Sequence, residues 1–133
     1  MSKRIVFCAD GTWQAPPNNT NVYRIYRALA VTGEQITFYD DGVGAGFTGL
    51  EHVLDGAFGQ GIFQKIRDGY AKIAHVYEAG DQVFLFGFSR GAYTARSMAG
   101  MIAACGLPTG SFTDRAIYLT PPSTTGSSFA STD

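Results

Sequence analysis

The period of the apolar positions changes several times along the chain, and each change marks a predicted element. Arg4-Ile-Val-Phe-Cys-Ala9 is a short apolar run of strand formers, closed by the turn cluster Asp10-Gly-Thr-Trp13. Polar and proline residues follow. Thr20 or Asn21 then offers an N-cap for a helix over Val22 to Ala30, whose Val22, Ile25, Tyr26 and Leu29 share one face, with Gly33 ending it. Gln35-Ile-Thr-Phe-Tyr39 reads as a second strand and leads into the glycine-rich stretch Asp40 to Gly49. Gly56 to Gly61 is also glycine-rich and is assigned no structure. From Gly61 to Glu78 the residues Ile62, Phe63, Ile66, Tyr70, Ile73 and Tyr77 recur at helical spacing. Ala79-Gly-Asp81 breaks that helix. Gln82-Val-Phe-Leu-Phe86 is a third strand, and Ala92 to Ala104 a third helix closed by Gly106-Leu-Pro108. The order β-α-β-α-β-α predicts an α/β fold: a parallel sheet core with right-handed crossovers and helices on both faces.

The composition changes after Thr109. Serine and threonine dominate there, and Asp114-Arg-Ala-Ile-Tyr-Leu119 carries the apolar content. Residues 1–108 therefore read as one folded part and residues 109–133 as a Ser/Thr-rich tail, disordered from Thr120 onward. A chain of 133 residues with net charge −1 suits one compact domain, small for an α/β enzyme. No basic stretch with interleaved aromatics is present, which argues against nucleic acid as a partner. The apolar run after Lys3 and Arg4 is too short for a signal peptide, and no run is long enough to span a bilayer. The expected location is the cytoplasm, or outside the cell by a route without a cleaved leader. Cys8 and Cys105 lack metal-ligand spacing and read as buried free thiols.

The chemistry concentrates at Gly87-Phe-Ser89-Arg-Gly91, a G-x-S-x-G set between the third strand and the third helix. That context gives the motif its meaning. The serine would sit on a sharp strand-to-helix bend, and Gly87 and Gly91 would remove side chains where the two backbones crowd. Ser89 is the candidate nucleophile. It needs a base for its proton and amides for the oxyanion. One amide is that of Arg90; the second is expected from the loop after the first strand, from Gly11 with Thr12 as the alternative. Asp10 either shapes this loop or bonds its own backbone as an ordinary turn residue. Gly44-Ala-Gly-Phe-Thr-Gly49 matches G-x-G-x-x-G after a strand, but neither a tight helix start nor a strand-terminal acid follows at the required distance, so nucleotide binding ranks last. His52 and His75 both precede Ser89, against the Ser-acid-His order of such folds, and the downstream acids Asp114 and Asp133 lie in the tail. The nucleophile is legible and its base is not.

Four blocks carry a resemblance: Phe7-Cys-Ala-Asp-Gly-Thr-Trp13, Thr20-Asn-Val-Tyr-Arg24, Tyr39-Asp-Asp-Gly-Val-Gly44 and Gly80 to Arg96. In this order they are similar to the α/β-hydrolase family that includes type VI secretion phospholipase effectors, over about residues 4 to 108. The resemblance implies an α/β-hydrolase fold, Ser89 as nucleophile, ester or phospholipid substrates met at a membrane surface, and no metal or organic cofactor. Members of the family continue beyond the nucleophile helix, and that later portion supplies the acid, the histidine and more strands. The chain therefore reads as the amino-terminal part of a hydrolase domain, incomplete and with little turnover by itself. Its third strand would have an open edge, to be covered by a second copy or a partner chain. The alternative is a non-catalytic module that keeps the fold without the chemistry.

Overall fold

The first apolar run becomes β1 (Arg4–Ala9), the central strand of a three-stranded parallel sheet. In this computed structural model, residues 2–11, 19–42, 57–108 and 129–130 are described. β1 pairs on one side with β2 (Gln35–Asp40), Phe7 opposite Phe38 and Ala9 opposite Asp40. On the other side it pairs with β3 (Gln82–Gly87), Val6 opposite Phe84 and Ala9 opposite Gly87. The order is β2-β1-β3, all parallel, so the ends of β1 and β3 lie side by side.

Central position explains why β1 is apolar without alternation. Ile5, Phe7 and Ala9 point into a core with α2 (Ala57–Val76) and α3 (Arg90–Cys105). Val6 and Cys8 point the other way, against Val22 of α1 (Asn21–Ala28). Helices therefore cover both faces, and every β1 residue after Arg4 is buried. Each large apolar side chain so buried contributes about 2 kcal/mol.

Thr20 is the N-cap of α1, its hydroxyl accepting from the Tyr23 amide at 3.1 Å. The helix stops at Ala28, two residues before the predicted end and well before Gly33. Leu29 is already extended at ψ 134°, and the following residues serve a turn in which Thr32 bridges Gln35 and the Gln35 amide group donates to the Ala30 carbonyl. Leu29 still packs on the Val6, Cys8 and Val22 cluster.

α2 starts at Ala57, four residues earlier than Gly61, despite glycines at 59 and 61. Its Ile62, Ile66, Tyr70 and Ile73 form the buried stripe, which Tyr77 extends just past the helix end. Phe63 does not join them. It is 65% exposed, because it lies about 100° round the helix from Ile62. Glu78 lies beyond the helix, with its amide donating to Asp81 Oδ2 at 2.9 Å. Lys3 closes this corner through contacts of 2.6 Å to Asp81 and 2.9 Å to Glu78.

After α3, the short strand β4 (Leu107–Pro108) pairs antiparallel with β5 (Phe129–Ala130). This pairing departs from the expectation of disorder throughout residues 120–133. The other tail residues lie outside the described part. Among the described residues no strand covers the outer edge of β3, and Phe84 and Phe86 on that strand remain 41% and 37% exposed.

Candidate active site

Ser89 occupies the junction between the end of β3 and the start of α3, with φ 54° and ψ −122°. An L-residue seldom adopts such a backbone, and holding it there costs about 1–3 kcal/mol. A serine at a helix start ordinarily turns its hydroxyl back onto the helix amides. Ser89 makes no such bond, although its carbonyl accepts from Ala92 at 3.0 Å. The side chain is exposed.

The bend is packed directly on the end of β1. The Phe88 amide donates to the Ala9 carbonyl at 3.1 Å, and the Gly91 amide to the Phe88 carbonyl at 2.9 Å. A Cβ on Gly91 would overlap the Ala9 carbonyl oxygen, and one on Gly87 would overlap the Gly91 carbonyl oxygen. Neither position has room for a side chain. On its other side the β1 end meets Gly42, at φ 80°, where a Cβ would strike the Gly11 and Asp10 carbonyl oxygens.

Asp10 lies at the centre of this arrangement and is 1% exposed. Its Oδ1 accepts from the Gly11 amide at 2.9 Å. Its Oδ2 accepts from the Tyr39 hydroxyl at 2.7 Å and from the Thr20 hydroxyl at 2.5 Å. One carboxylate therefore joins the end of β1, the cap of α1 and the end of β2. Burial, then the bond and charge of Asp10, hold the Tyr39 phenol well above its ordinary pKa. Burial, with Asp10 adding to it, pushes the Cys8 thiol up to about 11, so Cys8 is a protonated core residue. Cys105, expected to be buried, is exposed at the end of α3; both thiols are free.

A second carboxylate repeats the pattern on β2. Asp40 Oδ1 accepts from the Gly42 amide at 3.0 Å and from Lys65 Nζ at 2.7 Å. Burial opposes the charge on Lys65, but Asp40 and Asp41 outweigh it and raise the Lys65 pKa.

The chain from residue 3 to residue 118 matches the family described as "T6SS, Phospholipase effector Tle1-like, catalytic domain". The chain belongs to the Tle1-like family. It is also 35% identical over 122 residues to the uncharacterized protein YEL023C of Saccharomyces cerevisiae. That alignment covers 79% of this chain and 18% of the yeast protein, so the chain spans under a fifth of that relative's length. No solved structure matches it.

In this Tle1-like chain the structure brings Ser89, Arg90, Gly87 and Gly91 together with Asp10 and Gly11, which are distant in sequence. Arg90 is the first residue of α3, directly after Ser89. Gly11 lies in the expected loop, but its amide is engaged by Asp10. Thr12 and His52 lie outside the described residues, as do the stretch 44–49 and the acids Asp114 and Asp133. His75 sits in the last turn of α2, at the opposite end of the strands from Ser89. It lines a groove of about 520 Å³ with Phe38, Asp40, Lys65 and Lys72, which shares no residue with the Ser89 bend. No cluster of metal-binding side chains occurs among the described residues, and no described helix is long and apolar enough to cross a membrane. The sequence reading missed Tyr39, Gly42 and the second role of Thr20. Their signal was membership of the blocks Thr20 to Arg24 and Tyr39 to Gly44, which assigned them no role.

Proposed function

We propose that this chain carries the nucleophile-bearing part of a serine hydrolase that cleaves phospholipid esters. The observation that carries the reading is the backbone of Ser89 (φ 54°, ψ −122°) at a strand-to-helix bend, its hydroxyl not bonded to the helix amides. Strain is retained at such a position when a side chain must be presented outward. Membership of a phospholipase effector family supports the substrate class.

In this reading Ser89 Oγ attacks the ester carbonyl carbon and gives its proton to a general base. The carbonyl oxygen becomes an oxyanion, held by the Arg90 amide and by an amide of the loop after β1. The Gly11 amide is occupied by Asp10, which shifts the second donor to Thr12. Collapse of the tetrahedral intermediate expels the alcohol, here a lysophospholipid, and leaves an acyl group on Ser89. Water then releases the fatty acid. The base and its acid partner are supplied from outside the described residues. No cofactor enters any step.

A non-catalytic module is the second reading. It is favoured by the absence, among the described residues, of a histidine at the Ser89 end of the sheet. An activated short-chain ester separates the two. The hydrolase reading expects one acyl group per chain by intact mass, absent in Ser89→Ala, with acylation slowed by phospholipid vesicles. Equal acylation of wild type and Ser89→Ala, or none in either, would support the module.

A further inference from the structure

We propose that Tyr39 is a positioning residue for the Ser89 site, acting through Asp10. The proposal rests on the reading of Ser89 as nucleophile. Asp10 is a nearly fully buried carboxylate whose donors among the described residues are all uncharged: the Gly11 amide, the Tyr39 hydroxyl and the Thr20 hydroxyl. A buried carboxylate needs such donors to remain in place. The two hydroxyls both bind Oδ2 and so fix the plane of the carboxylate. With the plane fixed, Oδ1 has one direction in which to hold the Gly11 amide.

This amide belongs to a crowded strip of backbone. Gly42 leaves no room for a Cβ against the Gly11 and Asp10 carbonyls on one side, and Gly91 leaves none against Ala9 and Asp10 on the other. Ala9 in turn receives the Phe88 amide at 3.1 Å, one residue before Ser89. The route from the phenol to the nucleophile is thus Tyr39, Asp10, the Ala9–Gly11 backbone, Phe88 and Ser89, without a gap. Where the Asp10 carboxylate points decides where the Gly11 amide stands, on the backbone strip against which the Ser89 bend packs. The raised pKa of the phenol keeps it a donor throughout the pH range of an assay. Tyr39 is a better probe than Thr20, because Thr20 also caps α1.

The test uses Tyr39→Phe, which removes one oxygen and keeps the ring against Tyr23 and Tyr26, whose centroids lie 5.4 and 5.2 Å away. The first readout is amide hydrogen exchange by NMR. Exchange at Gly11 should accelerate about five- to tenfold, the equivalent of one hydrogen bond, with Ile5 to Cys8 unchanged. The second is the reaction of Ser89 with a fluorophosphonate. The limiting rate kinact should fall about tenfold while the half-saturating probe concentration stays the same, because the probe site is intact and only the Ala9–Gly11 backbone beside the Ser89 bend is displaced. If wild type reacts at Ser89 and Tyr39→Phe reacts equally fast, the positioning role is overturned and the nucleophile stands. If wild type does not react, the nucleophile reading is overturned. Gly11 exchange then decides whether Tyr39 holds the loop: acceleration upholds that hold, and an unchanged rate overturns it.

Discussion

Gly91 sits so close to Ala9 that a single added carbon would overlap the Ala9 carbonyl oxygen, the same oxygen that receives the Phe88 amide. The Ser89 bend is therefore fitted against the central strand as one backbone against another, with no side chain between them. Gly91→Ala should destabilise the protein by about 1–3 kcal/mol through overpacking. Chemical denaturation measures it, and a change below about 0.5 kcal/mol would contradict the packing described.

The backbone of Ser89 makes a second prediction with an opposite sign. At φ 54° the residue stores strain that glycine does not feel. Ser89→Gly should gain about 1 kcal/mol, after allowing for the greater unfolded-state freedom of glycine, and should lose all Ser89 chemistry. Ser89→Ala should lose the chemistry without the gain. Paired thermal melts check both, and equal stability of the two variants would remove the argument from strain.

How much of this was readable in the sequence depends on whether an interaction is local. The Ile5 to Ala9 run, the Ile62 to Tyr77 stripe and the G-x-S-x-G set between strand and helix are local patterns, and each lies where the sequence puts it. The failures are contests between local signals and packing. Gly59 and Gly61 argue against a helix, yet α2 runs through both. The Asp10 carboxylate is another case. Spacing made Gly11 a free donor, but the neighbouring side chain takes its amide, and this depends on rotamers set by Tyr39 and Thr20 through the parallel pairing of β1 with β2.

The corner at Lys3 and Asp81 should make stability depend on pH. Burial alone would raise the Asp81 carboxyl, but bonds from the Lys3 ammonium and from the Lys3 and Glu78 amides hold it below its ordinary value. A depressed folded-state pKa gives stability that is complete above the unfolded value, near about 3.9, and that is lost as pH falls through the folded value. Asp81→Asn should cost about 1–2 kcal/mol near neutral pH. The gap from wild type should shrink below about pH 4. A gap that stays constant or widens on acidification would contradict the assignment.

Phe84 and Phe86 stand exposed on one face of β3, an edge strand among the described residues, beside Val6 and Cys8, which are covered by α1. An open edge with an aromatic face promotes pairing between chains. Light scattering should show concentration-dependent self-association, abolished by Phe84→Lys with Phe86→Lys. A stable wild-type monomer at high concentration would contradict this.

The central claim is that the Ser89 hydroxyl is an activated nucleophile. Fluorophosphonate treatment followed by peptide mapping tests it most directly. The expected result is a single phosphonylated site at Ser89, absent in Ser89→Ala. A wild-type chain that stays unmodified, or is modified equally after that substitution, would contradict it.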